Sequence, residues 1–287
     1  IIIIYNNCNK IILHLMIPYI NPKSKNLLKK EGLKLLIDNE TNQKFPIKNE
    51  IPRIISSNVS YAQMWGEQWG RFQLTQFDSF TKKDLSKDRL EYILGSGIDI
   101  LKGKKVLEVG SGAGRFTELL ASKAEELYTL DASEAIDYNK KNNSKFGNIY
   151  YTQADLFNIP FQDNTFDLIT IAFGLRNVTH KEKALESINK ALKPGGKLII
   201  LEFSRPQNEV FREIYDLFSF EVIPKIGEFI AQTEESYRYL AESIRMHPTQ
   251  EELKKMLSDS GFTKCRYENL TNGIVAIHSG QKGMIDV

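Results

Sequence analysis

Apolar positions in the last two thirds of the chain recur with two periods. Short, nearly unbroken apolar runs at 104–109, 126–131, 149–153, 166–172 and 196–203 predict strands buried on both faces. Between and after them, helix-spaced apolar positions predict helices over 115–123, 134–146, 181–192 and 249–259. Two final strands, 263–270 and 273–279, read as an antiparallel hairpin through Thr271-Asn272-Gly273. Strand alternating with helix predicts an α/β fold, a parallel sheet with helices on both faces.

Upstream the pattern changes. Residues 33–37 and 44–55 read as short strands with turns, so 1–57 is expected to form a small β-rich module. Its first apolar runs, 1–4 and 11–17, are separated by the polar Asn6 to Lys10 stretch. Neither approaches the roughly 20 apolar residues of a membrane-spanning helix. A packed strand pair, a disordered start and a membrane role are the readings left. Residues 58–101 are aromatic and helical, with Tyr61, Trp65, Trp69, Phe72 and Phe77 at helix-like spacings. They read as a helix pair packed over the domain that follows or as a lid on it. Residues 102–287 form the main domain. Within it, a long helical insertion between Pro206 and Pro248 carries many aromatic residues.

Composition narrows the class only modestly. With 287 residues there is room for one large domain and a small appendage. A net charge of +2 gives no global case for nucleic acid. The two cysteines, Cys8 and Cys265, can build neither a disulfide framework nor, alone, a zinc site, and suit a reducing, cytoplasmic setting. No metal ligands are expected.

The candidate chemistry begins at Glu108-Val109-Gly110-Ser111-Gly112-Ala113-Gly114, which joins a predicted strand to a predicted helix. Gly110, Gly112 and Gly114 let the backbone turn sharply and let a ligand approach closely. The G-x-G-x-G spacing, with Glu108 two residues ahead, favours S-adenosylmethionine over a dinucleotide, whose turn is G-x-G-x-x-G. Asp131 ends the second strand, where a carboxylate can accept both ribose hydroxyls, with Ala132 beside it. Asp155 ends the third strand and Leu156 follows it.

Three further stretches resemble the ubiquinone/menaquinone biosynthesis C-methyltransferase family. They are Phe173-Gly174-Leu175-Arg176-Asn177-Val178, the run from Ser236 to Pro248, and the run from Asn269 to His278. The resemblance covers about 166–282. Upstream, the chain resembles other class I S-adenosylmethionine-dependent methyltransferases, preceded by a zinc-ribbon-like module that lacks its metal ligands. The resemblance implies a Rossmann-like fold with a seven-stranded, mostly parallel sheet ending in an antiparallel hairpin. It implies that Asp155 and the Leu156 backbone meet the adenine and that Phe173 lines the cofactor site.

The resemblance also implies methylation of a demethylmenaquinol or polyprenyl benzoquinol ring. Such a transfer needs an electron-rich ring, so a fixed guanidinium at Arg176 is expected to stabilise the developing phenolate. Asn177 is expected to orient the ring hydroxyl. The proton goes to water or to a histidine, with His247 the best candidate and His180 and His278 peripheral. Tyr237 and Arg245 are candidates for the pocket wall. The implied partner is a lipid quinol, with peripheral contact to the inner membrane face and no nucleic acid. Two other readings stay open: a methyltransferase of another small molecule, with specificity set by the N-terminal half, and a non-catalytic cofactor-binding partner.

Overall fold

The computed structural model describes residues 19–55, 74–209 and 234–284. Four short strands come first: β1 (Lys29–Glu31), β2 (Leu35–Ile37), β3 (Lys44–Lys48) and β4 (Ile51–Ile54). They pair antiparallel in succession. Two residues join β3 to β4, Asn49 (φ 53°) and Glu50 (φ 60°). Consecutive left-handed residues give the primed turn whose twist matches a hairpin. The loops beside these strands converge on the Asp38 carboxylate. It accepts from the side chains of Asn21 and Asn26, from Ser24, and from the N–H groups of Glu40 and Thr41.

Next come α1 (Asp78–Thr81), α2 (Leu85–Leu94) and the alternating elements β5 (Lys105–Val109), α3 (Thr117–Ala121), β6 (Glu126–Asp131), α4 (Ala135–Asn142), β7 (Ile149–Ala154) and β8 (Phe166–Ala172). They are followed by α5 (Lys181–Ala191), β9 (Leu192–Phe203), α6 (Glu234–Met246), α7 (Gln250–Asp259), β10 (Phe262–Leu270) and β11 (Val275–Lys282). The central strand order is β7-β6-β5-β8-β9-β11-β10. β5 to β9 run parallel, and β11 is antiparallel to both β9 and β10. The expected seven-stranded sheet with its antiparallel hairpin is therefore present. The N-terminal strands do not form a sheet apart: β4 pairs parallel with β7, so eleven strands form one sheet.

Alternation along the strands builds two cores. Leu107, Ile169, Leu198 and Ile200 point into a layer with Ala184, Leu185 and Ile188 of α5 and Leu253 and Leu257 of α7. Val106, Leu168, Ile199 and Leu201 point the other way, onto Leu90 and Leu94 of α2, Leu120 of α3 and Ile136 of α4. A strand with apolar side chains on both faces needs helices on both sides, which is why these runs read as continuous. Truncating one such leucine to alanine costs about 2–5 kcal/mol.

Element ends differ from expectation for local reasons. The helix expected from 115 begins at Thr117, after Gly114 turns with φ 96°. The helix expected to 146 stops at Asn142, because the Asn143 side chain turns back onto the Gly114 carbonyl at 3.1 Å. The strand expected from 196 starts at Leu192, with a register shift against β8. α7 opens with a capping box, Thr249 and Glu252 each bonding the other's backbone. The runs at 1–4 and 11–17, Cys8, Tyr61, Trp65, Trp69 and Phe72, and most of the aromatic insertion lie outside the described residues; Phe77 is described and buried.

Candidate active site

The chain leaves β7 at one side of the sheet and re-enters at β8, beside β5. Ligands of open α/β sheets bind at this reversal, beyond the carboxyl ends of the strands. Here Gly110 (φ 69°) follows β5 and faces Gly174, which follows β8. A Cβ added to Gly110 would lie 3.8 Å from the Gly174 Cα, so the two glycine backbones pass close to each other. Gly112 (φ 52°) donates its N–H to Asp131 Oδ2 at 2.8 Å. Gly114 has no room for a side chain: a Cβ there would sit 2.2 Å from Asn139 Oδ1.

Behind the glycine loop runs a buried polar chain. Thr117 Oγ1 donates to Glu108, and Asn139 Nδ2 donates to Thr117 Oγ1 at 2.8 Å. Asn143 Nδ2 donates to Asn139 Oδ1 at 2.9 Å and to the Gly114 carbonyl. Burial pushes the Glu108 carboxyl up to about 8; the Thr117 hydrogen bond opposes this and the nearby Asp131 charge adds to it. Glu108 therefore holds a proton near neutral pH, and an adjacent cation would release it.

Asp131 Oδ1 accepts from the Ser133 N–H at 2.8 Å and the Ser133 hydroxyl at 2.6 Å. Burial still raises its pKa, against the Ser133 and Gly112 hydrogen bonds. The Ser133 hydroxyl in turn accepts from the Ala135 N–H at 3.1 Å. The Ala132 carbonyl accepts from Gln153 Nε2 at 3.0 Å. Asp155 Oδ1 accepts from the N–H groups of Phe157 and Asn158, fixing a turn that buries Leu156. Three carboxylates thus end, or nearly end, three neighbouring strands.

The other side of the opening is built on β8 and β9. Phe173 adopts φ 56° and donates its N–H to the Leu201 carbonyl at 2.8 Å. Its ring lies 4.9 Å from that of Phe203. A single tight turn, Leu175–Asn177, follows. Arg176 is buried, and its guanidinium pairs with Glu202 at 2.9 Å and bonds the Phe173 carbonyl. It also lies over the Phe203 ring, 5.3 Å from the centroid. Asn177 Oδ1 accepts from the Tyr239 hydroxyl at 3.2 Å, so α6 rests against this turn. His247, just past α6, is buried; desolvation pushes it down to about 3, with Lys181, His278, Arg176 and Arg205 adding repulsion. It is neutral at any working pH and a weak base. His278 bonds the Gln250 carbonyl through Nε2, while His180 lies beside Phe157. Arg245 is exposed.

The structure brings Glu108, Gly110, Gly112, Asp131, Ala132, Asp155, Leu156 and Phe173 to one end of the sheet, with Arg176 and Asn177 across from them. Sequence reasoning missed Glu202, Tyr239 and the Thr117–Asn139–Asn143 chain. Glu202 carried a signal: an acid closing the apolar run Leu198 to Leu201 is expected to be buried and to need a cation. The asparagines carried none, since their partners come from other elements.

Residues 74–282 match the model of the ubiE/COQ5 methyltransferase family. The match reaches well upstream of the expected 166 and takes in the glycine loop. The chain is similar to the ubiquinone/menaquinone biosynthesis C-methyltransferase UbiE of Shewanella sp. (strain ANA-3), 51% identical over 187 residues, or 63% of this chain and 74% of the relative. The UbiE protein of Shewanella baltica (strain OS185) is 50% identical over the same shares. Among solved structures, the fold is similar to one from the complex between the Haloferax volcanii Trm112 methyltransferase activator and a methyltransferase. That likeness has a TM-score of 0.55 and 13% identity, over 77% of this chain and 99% of the other. Another is a Haemonchus contortus N-methyltransferase, with a TM-score of 0.52 and 14% identity, over 77% and 60%.

Proposed function

This chain belongs to the ubiE/COQ5 methyltransferase family, and on that premise we propose that it methylates a ring carbon of a demethylmenaquinol or a polyprenyl benzoquinol. It is an S-adenosylmethionine-dependent C-methyltransferase, with the fold of that class. One observation carries the acceptor assignment: 51% identity to a quinone-biosynthesis C-methyltransferase over a stretch of 187 residues. It favours a quinol over another small molecule and over a role without turnover.

The residues fit the cofactor. Gly110 is exposed and carries no Cβ, so the backbone at the end of β5 stays open to a ligand. Glu108, protonated when the site is free, gains from any cation placed beside it. In the proposed arrangement Glu108 faces the cationic amino acid part, Asp131 accepts the ribose hydroxyls, and Asp155 with the Leu156 backbone meets the adenine. Phe173 and Ala132 close the sides. When bound, S-adenosylmethionine supplies an electrophilic methyl group on a sulfonium.

The protein's task is to orient and charge the acceptor. Arg176, pinned by Glu202, presents a fixed cation that stabilises the phenolate as the ring hydroxyl loses its proton to water. Asn177, held by Tyr239, orients the hydroxyl. His247 stays neutral and serves as a hydrogen-bond partner, because its surroundings make it a poor proton store. The ring carbon would then take the methyl as the sulfonium sulfur–methyl bond breaks and a neutral thioether leaves. That carbon would lose its proton to solvent and the oxygen would regain one, restoring the aromatic quinol with one net proton released. Holding the two reactants in line supplies much of the rate.

The substrate is a small lipophilic molecule, and we extend the proposal to a peripheral contact with the membrane that holds it. No helix among the described residues is long and apolar enough to cross a membrane. Co-sedimentation with anionic vesicles tests the contact, and absence of binding overturns it. The main test is methyl transfer from labelled S-adenosylmethionine to a short-tailed demethylmenaquinol or benzoquinol. Label in the quinone fraction supports the proposal; cofactor binding with no labelled quinone overturns the acceptor.

A further inference from the structure

We propose that Arg53, on the N-terminal strand β4, is a positioning residue for the cofactor site. The proposal rests on the cofactor reading above. β4 lies parallel to β7, with Arg53 opposite Gln153 and Ile54 opposite Ala154, the residue before Asp155. The Arg53 side chain is only 9% exposed. Its Nη1 donates to Gln153 Oε1 at 3.2 Å. Its Nη2 donates to Asp137 Oδ1 at 2.8 Å and to the Lys48 carbonyl at 3.2 Å.

Both contacts lead to the loop after Asp131. Gln153 turns its other amide atom, Nε2, to the Ala132 carbonyl at 3.0 Å. Asp137 lies in the first turn of α4, where that loop ends. Arg53 therefore bears on the 131–134 loop indirectly, through Gln153 at the Ala132 carbonyl and through Asp137 in the helix that follows, while Gly112 holds the Asp131 carboxylate.

The amide of Gln153 explains why the cation matters. A glutamine amide has a donor end and an acceptor end that occupy nearly the same space. With Arg53 donating, the oxygen must face β4 and the nitrogen must face Ala132. Without Arg53 the amide loses that bias, and the Ala132 carbonyl loses a fixed donor. The guanidinium fork serves Gln153 and Asp137 together, which a lysine ammonium, a single point charge, does not reproduce. The N-terminal strands thus complete the ribose side of the site as well as the sheet.

The test uses the full chain with Arg53→Lys, Gln153→Leu and Asp137→Asn. S-adenosylmethionine affinity is measured by calorimetry, kcat at saturating cofactor with a short-tailed quinol, and thermal midpoint in the free protein. Arg53→Lys and Gln153→Leu are expected to weaken cofactor binding about tenfold, as one lost hydrogen bond predicts. They should leave kcat within about twofold, and their combination should weaken binding no further. Asp137→Asn is expected to lower the thermal midpoint with a smaller effect on affinity. Wild-type affinity in both Arg53→Lys and Gln153→Leu overturns the role of Arg53, as does a loss of kcat that matches the loss of affinity. A wild-type chain that binds no S-adenosylmethionine overturns the cofactor reading itself.

Discussion

Glu202 holds Arg176 by two routes: one carboxylate oxygen accepts the Arg176 backbone N–H at 3.0 Å and the other accepts Nη1 at 2.9 Å. The Phe203 N–H adds a third bond to that carboxylate at 2.8 Å. The tight turn after β8 and the end of β9 are thus locked as one unit, with the pair out of water.

Removing the acid from this pair should cost far more than removing an exposed one. Glu202→Ala leaves a buried guanidinium uncompensated, and a loss of about 3–5 kcal/mol in urea unfolding is expected. Arg176→Ala leaves the buried Glu202 carboxylate without its cation and is expected to destabilise by a similar amount; measured on the folded protein, it is expected to keep cofactor affinity and lose about 10²–10³ in kcat, the range for a lost charge-stabilising donor. Unchanged turnover would sink the role given to Arg176.

Glu108 predicts a proton released on cofactor binding. Its folded-state pKa of about 8 exceeds the ordinary glutamate value of about 4.3. The protonated form therefore contributes stability that is full below about pH 4.3 and lost as pH rises through about 8. A bound cation favours the carboxylate, so affinity for S-adenosylmethionine should rise as pH rises from 6 toward 8. Calorimetry in two buffers of different ionisation heat measures the proton. In Glu108→Gln the proton release should vanish; its persistence would count against the assignment.

At Gly114 a single methyl group should be poorly tolerated. With φ 96° and Asn139 Oδ1 at 2.2 Å from an added Cβ, Gly114→Ala strains the backbone and crowds the buried asparagines. Overpacking of about 1–3 kcal/mol plus left-handed strain of about 1–2 kcal/mol predicts a loss near 3 kcal/mol. Gly103→Ala, at φ 68° with nothing within 4 Å of its Cβ, reads the strain alone and should cost less. Equal losses would refute the crowding.

His247 makes the fold acid-sensitive. Its pKa is lowered to about 3, against about 6.5 when unfolded. Its contribution is full above about pH 6.5 and lost as pH falls through about 3, because the unfolded chain then binds the extra proton. Between pH 7 and 5 the wild type should lose up to about 2 kcal/mol more than His247→Gln. Parallel unfolding curves for the two would remove this account.

The strand and helix order of 102–209 and 234–284 was legible because each central strand is apolar on both faces, and buried strands of that kind carry their own signature. The glycine loop was legible because glycine takes left-handed backbone angles with no steric cost. The ends of the helices were not: Asn143 stops α4 by bonding Gly114, 29 residues back in the chain. Nor was the tie between the N-terminal strands and the rest. Arg53 meets Gln153 across 100 residues, and no local pattern in 44–55 announces a parallel partner.

By itself, then, the sequence determined the class of fold, the candidate residues that gather at one end of the sheet, and the family motifs around Arg176. These follow from periodicity and from residue types with narrow backbone or chemical uses. Only the tertiary structure decided that Arg176 is pinned by Glu202, that burial raises the Glu108 carboxyl and lowers His247, and that β4 joins the central sheet. Each of these depends on burial and on charges brought together from distant parts of the chain, and desolvation is a property of the packed molecule.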